Sequence, residues 1–186
     1  MNLKTALICS LSLVAVFSMG QTVKVTKKYG TTETMNKVKP GMGINGHDRA
    51  FFKQALETNL VEIKLGELAR KKGSGEWARE FGKTMVMDHT QGFNELKVIA
   101  WKTKLPLSKN ISSESRGKIE RLARLNGSAF DSEYRATMMK GHMAFAEQIE
   151  REIKLGNNSL VRNYAITMGP VVSLHHKMAI RKVTKI

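Results

Sequence analysis

The sequence predicts an all-α fold, an antiparallel four-helix bundle with a short extra helix between helices two and three. Four long segments carry apolar residues at the three- and four-residue spacing of amphipathic helices. Short or modest stretches containing glycine, asparagine or proline separate these segments. No segment of useful length after residue 47 shows the alternating pattern of a β-strand.

The first long helix is predicted to run from Arg49 to Lys72, with Asp48 as its N-cap. The stretch "KKGSG" ends it, because glycines break helices and lysines are favourable at a helix C-terminus. Its apolar and small residues recur with helical spacing at Phe51, Phe52, Ala55, Leu56, Ile63, Gly66 and Ala69.

The second helix is predicted to start after Ser74 as a cap and to end near Lys102, before "KLPLSKN". A short helix then follows from about Ser113 to Leu125 and stops at "NGS". The second helix places its apolar stripe at Trp77, Phe81, Met85, Gly92, Leu96 and Ile99.

The last two long helices have start signals of their own. Ser128 with Asp131 resembles a capping box, and the third helix is predicted to continue to Leu155. Ser159 is predicted to cap the fourth helix, which runs nearly to the end of the chain. Pro170 lies inside this last helix and is expected to kink it.

The chain divides into three predicted regions. Residues 1–20 have a lysine, an apolar run and small residues, the layout of a signal peptide cut before Gln21. A membrane anchor is the alternative, but the apolar run is shorter than the roughly 20 residues that a spanning helix needs. Residues 21–46 are polar and predict a flexible linker, and residues 47–186 predict the bundle domain. We therefore expect export to the periplasm or the outside of the cell.

The only cysteine, Cys9, lies in the predicted leader. The mature chain would then have no disulfide, no thiolate metal site and no cysteine nucleophile. The net charge of +15 is explained either by a solvated basic surface or by an anionic partner, such as acidic lipid or polysaccharide. Nucleic acid is not expected, because the lysines and arginines are dispersed and few aromatic residues are available for base stacking. Oligomeric state is not indicated.

Each long helix places an ionisable residue on its apolar side. Buried charge is costly unless it is paired or bound to a metal. One inward histidine is usually an ordinary core residue, whereas contributions from four facing helices favour a shared site if they lie at one level. The candidate metal ligands are Glu62 on the first helix, Asp88 and His89 on the second, His142 on the third and His175 on the fourth.

Oxygen and nitrogen donors of this kind suit iron, manganese, zinc or copper. The chain has no Glu-x-x-His motif, which argues against a standard di-iron oxidase. Met85 and Met138 each precede an inward histidine by four residues, a pairing that suits Cu(I), although methionine is also common core filler. Asp88 is alternatively an orienting partner of His142 or His175, or part of a structural hydrogen bond.

Catalysis without a metal has little support. The chain contains no Gly-x-Ser-x-Gly motif and no glycine-rich phosphate loop beside a strand. Asp88 and His89 are adjacent in sequence, so their side chains point about 100° apart on a helix and do not form a relay. The sequence therefore favours a protein that is not an enzyme.

Several phrases resemble the domain-of-unknown-function 4142 family, an exported ferritin-like bundle of bacteria. They are "VEIKLGELA" and "FGKTMVMDHT" in the first half, then "FDSEYRATMMKGHMAFAEQIE" and "GPVVSLHHKMA". The likeness extends over roughly residues 48–179 and includes Glu62, Asp88, His89, His142 and His175. The family usually has leucine where this chain has Gly169, and its surface is seldom so basic. The resemblance implies a ferritin-like fold and export, but no established activity.

Two functional hypotheses follow. In the first, the inward cluster binds a transition metal in an exported bundle protein. In the second, the chain is a non-enzymatic envelope interaction protein whose basic surface binds anionic lipid or polysaccharide, and the inward cluster is structural.

Overall fold

The computed structural model describes residues 43–181, where the regular secondary structure is entirely α-helical. The predicted all-α class is therefore confirmed over this range. The predicted signal peptide and most of the predicted linker lie outside the described residues. Within residues 43–181, no helix combines the length and apolar character needed to cross a membrane. The helices are α1 (Gly46–Lys72), α2 (Glu76–Thr103), α3 (Ser113–Arg124), α4 (Gly127–Leu155) and α5 (Ser159–Ile180).

Helix α1 begins earlier than predicted, because the cap is Asn45 and not Asp48. The Asn45 side chain accepts a hydrogen bond from the Asp48 amide at 2.9 Å. The Asp48 carboxylate in turn accepts one from the Asn45 amide at 2.6 Å. The two residues form a reciprocal capping box, in which Asp48 occupies the third helical position.

Two further predicted caps are wrong. Helix α2 begins after Gly75, not Ser74, and α4 begins after Asn126 without a side-chain capping bond. Asp131 does not cap its own helix; its carboxylate accepts hydrogen bonds from the amides of Ser74 at 3.0 Å and Gly75 at 2.7 Å. An acidic side chain of α4 thus satisfies free amides at the start of α2, a tertiary contact that replaces a local one.

The remaining boundaries agree closely with the predictions. Helix α3 ends one residue before the predicted end, at Arg124. Helix α5 is capped by Asn158, one residue before the predicted Ser159, and its side chain accepts from the amides of Leu160 and Val161. The helix continues through Pro170.

Two apolar clusters form the interior of the bundle. We call them the first and second clusters. In α1 and α5 the first-cluster residues precede the second-cluster residues, and in α2 and α4 the order is reversed. All four long helices therefore pass the boundary between the clusters near their middle or end. The first cluster includes Phe51, Phe52, Leu56, Leu96, Phe145, Ile149, Val161 and Val172, and the second includes Leu65, Phe81, Met85, Leu122, Phe130, Tyr134, Met138 and Ala179.

Candidate metal centre

Three histidines from three helices meet at the boundary between the clusters. His89 of α2 and His175 of α5 are completely buried, and His142 of α4 is 2% exposed. Their ring centroids are 5.2 Å apart for His142 and His175, 5.3 Å for His89 and His175, and 6.0 Å for His89 and His142. The three helices thus bring their histidines to one level, which the sequence pattern alone did not determine.

Among the described residues, one nitrogen of each ring has no hydrogen-bond partner. These atoms are His89 Nε2, His142 Nε2 and His175 Nδ1. In the part of the chain that the structure describes, the three histidines form a group whose candidate ligand atoms lie within 4.8 Å of one another. Buried polar atoms are rarely left without a partner, so three such atoms in one place require an explanation.

The other ring nitrogen of each histidine faces a hydrogen-bond acceptor. His89 Nδ1 lies 3.1 Å from Asn59 Oδ1, and His142 Nδ1 lies 2.7 Å from the Met138 carbonyl oxygen. His175 Nε2 lies 2.8 Å from Asp88 Oδ2. A neutral imidazole that donates through one nitrogen presents a lone pair on the other. The acceptors therefore assign a lone pair to each of the three unpartnered nitrogens.

Asn59 is held so that its oxygen faces His89. Its Nδ2 donates to the Ala55 carbonyl at 2.7 Å and to the Tyr164 hydroxyl oxygen at 2.8 Å. Because both amide protons are engaged, only the carbonyl oxygen remains for the histidine. Asn59 lay on the predicted inward face of α1, but the sequence analysis assigned it no role.

The electrostatic environment disfavours a positive charge on His89 and His142. Burial, with the neighbouring histidines as a second cause, holds the pKa of His89 well below its ordinary value. Burial and His175 lower the pKa of His142 to about 3, against the opposing effect of its bond to the Met138 carbonyl. Both rings are consequently neutral at pH 7, which is the form that binds metals.

Asp88 lies outside the ring of ligand atoms. Its side chain is 27% exposed, and its carboxylate accepts from the outer nitrogen of His175. The sequence predicted that Asp88 contacts His142 or His175, and the contact with His175 is confirmed. A carboxylate in this position orients a histidine ligand and increases its basicity.

Glu62 is buried beside this centre but does not belong to the convergent histidine group. Burial, opposed by Lys118, raises the pKa of Glu62 to about 8, so the carboxyl is protonated at neutral pH. Its Oε2 has no hydrogen-bond partner within residues 43–181. Glu62 lines a groove of about 480 Å³ between α1, α3 and α4, whose wall also includes Lys118, Lys140 and Gly141.

Sequence comparison identifies the family. The profile of a domain of unknown function, DUF4142, matches residues 33–181. The chain belongs to the DUF4142 family. This confirms the resemblance inferred from the sequence phrases. A search of curated proteins finds no match.

A solved structure shares the fold of this DUF4142 chain. It is a DUF305 fragment from Deinococcus radiodurans, with a TM-score of 0.66 and 11% sequence identity. The match covers 76% of the DUF4142 chain and 95% of the other chain. At this identity the comparison supports a common helical fold and nothing about activity.

Three histidine nitrogens give the DUF4142 chain a donor set that suits a borderline metal ion. Zinc accepts histidine nitrogens at about 2.0–2.1 Å, so tetrahedral ligands stand roughly 3.4 Å apart. The nitrogens of His89, His142 and His175, within 4.8 Å of one another, need to approach by up to about 1.4 Å. Each histidine already has its outer nitrogen supported, so the three residues could hold one ion with a coordination position left open.

Proposed function

We propose that this protein binds one transition-metal ion through His89 Nε2, His142 Nε2 and His175 Nδ1. The observation that supports this most directly is the pairing of all three outer nitrogens with acceptors while all three inner nitrogens have none. A purely structural cluster would gain by hydrogen-bonding these inner atoms, because an unsatisfied buried polar atom costs about 1–3 kcal/mol.

Zinc and copper are the preferred ions of the four considered. Imidazole nitrogen suits both, and copper and zinc stand at the tightly bound end of the divalent series. Iron and manganese sites commonly include carboxylates, and the two acidic candidates are not in the convergent group. Metal binding is the proposed function, and no reaction is assigned.

We also propose that the fold is an antiparallel four-helix bundle of the ferritin-like kind. The order of the two clusters along α1 and α5 is opposite to the order along α2 and α4. The start of α1 contacts the end of α4, since Asn45 Nδ2 donates to the Leu155 carbonyl at 2.8 Å. The start of α2 contacts the end of α5 through Trp77 Nε1 and the Met178 carbonyl, 3.2 Å apart. These features support antiparallel neighbours with one long crossover between α2 and α4.

Export to the periplasm or the extracellular space is the third part of the proposal. Its support is the leader pattern of residues 1–20 and the absence of cysteine from the sequence after Cys9. In that setting the centre would take up metal without competition from thiolates of its own chain.

The test is a titration of residues 21–186, without an affinity tag containing histidine, with Zn²⁺, Cu²⁺ or Co²⁺ alone. We expect about one equivalent per chain, and a visible Co²⁺ spectrum of low coordination number. His142→Ala should reduce affinity at least about a thousandfold, a loss in the range expected for one of three protein ligands. His176→Ala is the matched control, because His176 adjoins His175 in sequence but does not belong to the group.

Absence of binding by the parent, or equal binding by the parent and His142→Ala, would overturn the proposal. Circular dichroism and thermal unfolding are measured on each variant so that loss of the fold is distinguished from loss of the site. His89→Gln provides a second variant of similar size if His142→Ala does not fold.

The alternative proposal makes the basic surface the functional part and the polar centre structural. One observation favours it, an exposed tryptophan among lysines at the end of α2. The two proposals are compatible in one molecule, because the centre is buried and this surface is exposed.

A further inference from the structure

The end of α2 and the loop after it carry an unusual concentration of exposed apolar side chains. We call residues 97–109 the α2-end patch. Within it Trp101 is 72% exposed, Val98 52% and Leu107 41%. Val98 and Trp101 are three residues apart and so share one face of the helix. Isolated exposed apolar residues are normal, whereas adjacent ones such as Val98 and Trp101 on one helix face are typical of an interaction site.

The same patch is strongly cationic. It contains Lys97, Lys102, Lys104 and Lys109, all exposed, and no aspartate or glutamate occurs between residues 96 and 113. Lys104 Nζ lies 5.8 Å from the centre of the Trp101 ring. An indole beside an ammonium group, on a segment with three further lysines, has an apolar body for the acyl boundary and charges for acidic headgroups.

The patch rests on a fixed base. Ile99, Ala100 and Leu105 alternate with the exposed residues and are buried in the first cluster. The backbone is held by Thr103, whose hydroxyl donates to the Ile99 carbonyl at 2.7 Å. The exposed side chains are therefore presented by a packed segment, so little ordering is required when they meet a partner.

The patch lies at the end of the bundle where the described chain begins. First-cluster residues lie at the start of α1 and at the end of α2. The N-terminus of α1 and the C-terminus of α2 therefore both project beyond that cluster. Gly43 is tied there, since its carbonyl accepts from Asn157 Nδ2 at 3.0 Å. The predicted leader and linker therefore connect to the bundle at the end that carries the patch.

We propose that the α2-end patch docks on the surface of an anionic lipid bilayer, with Trp101 and Leu107 in the headgroup region and the lysines over acidic headgroups. A soluble acidic polymer would use the lysines but would leave the tryptophan, valine and leucine in water. Lipid satisfies both parts of the patch, because apolar burial and headgroup charge occur together only at a membrane interface. The inference does not depend on metal binding.

The experiment uses residues 21–186 with vesicles of phosphatidylcholine alone and of phosphatidylcholine with 30% phosphatidylglycerol. We expect binding to the anionic vesicles only, a blue shift of tryptophan emission, and quenching by shallow brominated lipid. Trp101→Phe should keep most of the binding and lose the shift, because the remaining Trp77 is half-buried in the protein. Each Lys→Gln change among the four lysines should weaken binding about fivefold.

The double variant Trp101→Gln/Leu107→Gln is compared with Leu174→Gln, whose side chain is 54% exposed on α5. We expect the double variant to bind at least about tenfold more weakly and Leu174→Gln to bind like the parent. Equal binding by all three would overturn the proposal. So would binding to dextran sulfate that is as tight as vesicle binding and unaffected by the double variant. Protection of Trp101 from acrylamide without vesicles would also overturn it, since another part of the chain would then cover the patch.

Discussion

Two regions of this bundle bury ionisable side chains, and they use them differently. The histidine centre lies at the boundary between the apolar clusters. The other region, which we call the end cluster, consists of Asp48, Glu152 and Arg162, with exposures of 0%, 1% and 4%. In the end cluster the Asp48 carboxylate accepts from the amides of Asn157 and Asn158, both at 3.0 Å, as well as from Asn45.

The two regions differ in what their buried polar atoms contact. Asp48 joins the start of α1 to the connection between α4 and α5, so its carboxylate serves the backbone. Burial and the neighbouring Asp48 raise the pKa of Glu152 to about 9, against the opposing effect of Arg162. The histidine centre instead has no backbone amide to satisfy and directs three lone pairs to one point. Unpartnered buried atoms also occur in the end cluster, at the Glu152 carboxyl oxygens and Arg162 Nε, so neither burial nor a missing partner by itself indicates a binding site. The histidines differ because their candidate ligand atoms lie within 4.8 Å of one another.

Asp48→Ala should give the largest effect on stability. Three backbone amides lose their acceptor, so we expect a loss of about 3–5 kcal/mol in unfolding free energy. Urea denaturation measures it. The folded fraction should still bind metal with parental affinity. A stability loss below about 1 kcal/mol would remove the structural assignment of the end cluster.

Glu62→Gln should change how stability depends on pH. In the parent, Glu62 has an ordinary pKa of 4.5 when unfolded and about 8 when folded, so the folded state binds the extra proton and stability falls as pH rises between these values. The variant lacks this loss. Between pH 5 and pH 8 its free energy of unfolding should therefore fall less than that of the parent, by on the order of 3 kcal/mol. Denaturation curves across this range test it; identical pH profiles would contradict a buried neutral carboxyl.

Both the parent and Glu62→Gln should still lose stability at low pH. His142 has a pKa of about 3 when folded and 6.5 when unfolded, so the unfolded state gains a proton first. Its contribution is full above pH 6.5 and is lost as pH falls towards 3. Glu62→Gln serves as the control here, because it leaves this histidine unchanged.

Asp88→Ala should weaken metal binding about 10–100-fold while leaving the fold intact. The carboxylate that orients His175 is removed, yet the side chain is partly exposed and touches no backbone amide in the described contacts. Competition with a chelator of known affinity measures the change. The same substitution at Asp131, which caps α2, should reduce stability without changing the affinity. Unaltered affinity in Asp88→Ala would show that His175 needs no outer partner.

Gly92→Ala should produce the smallest of these effects, about 1–2 kcal/mol of destabilisation with a several-fold weaker metal site. A Cβ at this position would lie 2.7 Å from Asn59 Oδ1 and 3.0 Å from the Tyr164 hydroxyl, so it would displace the acceptor of His89. Gly117→Ala in α3 is the matched control, because its Cβ would meet nothing within 4 Å. The control should be neutral or slightly stabilising, since alanine favours helix. Equal behaviour of the two variants would argue against a role for Asn59.

Helices and their inward faces were largely predictable. Helix α3 and the C-terminal ends of the long helices agree with the predictions within one residue or a few, because amphipathic spacing and glycine or proline breaks act within a few residues. The caps were less predictable. Asp48 and Asp131 both satisfy amides distant in sequence, so their partners depend on how helices meet.

The candidate site divides in the same way. The sequence predicted that Glu62, His89, His142 and His175 face inward, and all four are buried. The sequence did not show which of the inward residues bring their ligand atoms together. Glu62 and Asp88 were therefore grouped with the three histidines, whose atoms alone converge among the described residues. It also assigned no role to Asn59, whose relevant signal was an amide on an apolar helix face.

By itself the sequence determined the all-helical class, the family and the face of each helix that carries an ionisable residue. The class and the faces follow from the 3.6-residue period of the backbone, which is the same wherever the helix is placed. The family follows from the sequence phrases that match it. Only the tertiary structure decided that three histidines lie at one level, which nitrogen of each ring is free, and which acidic residue supports them. These depend on the axial offsets between packed helices, where a shift of one turn, about 5.4 Å, would separate the rings.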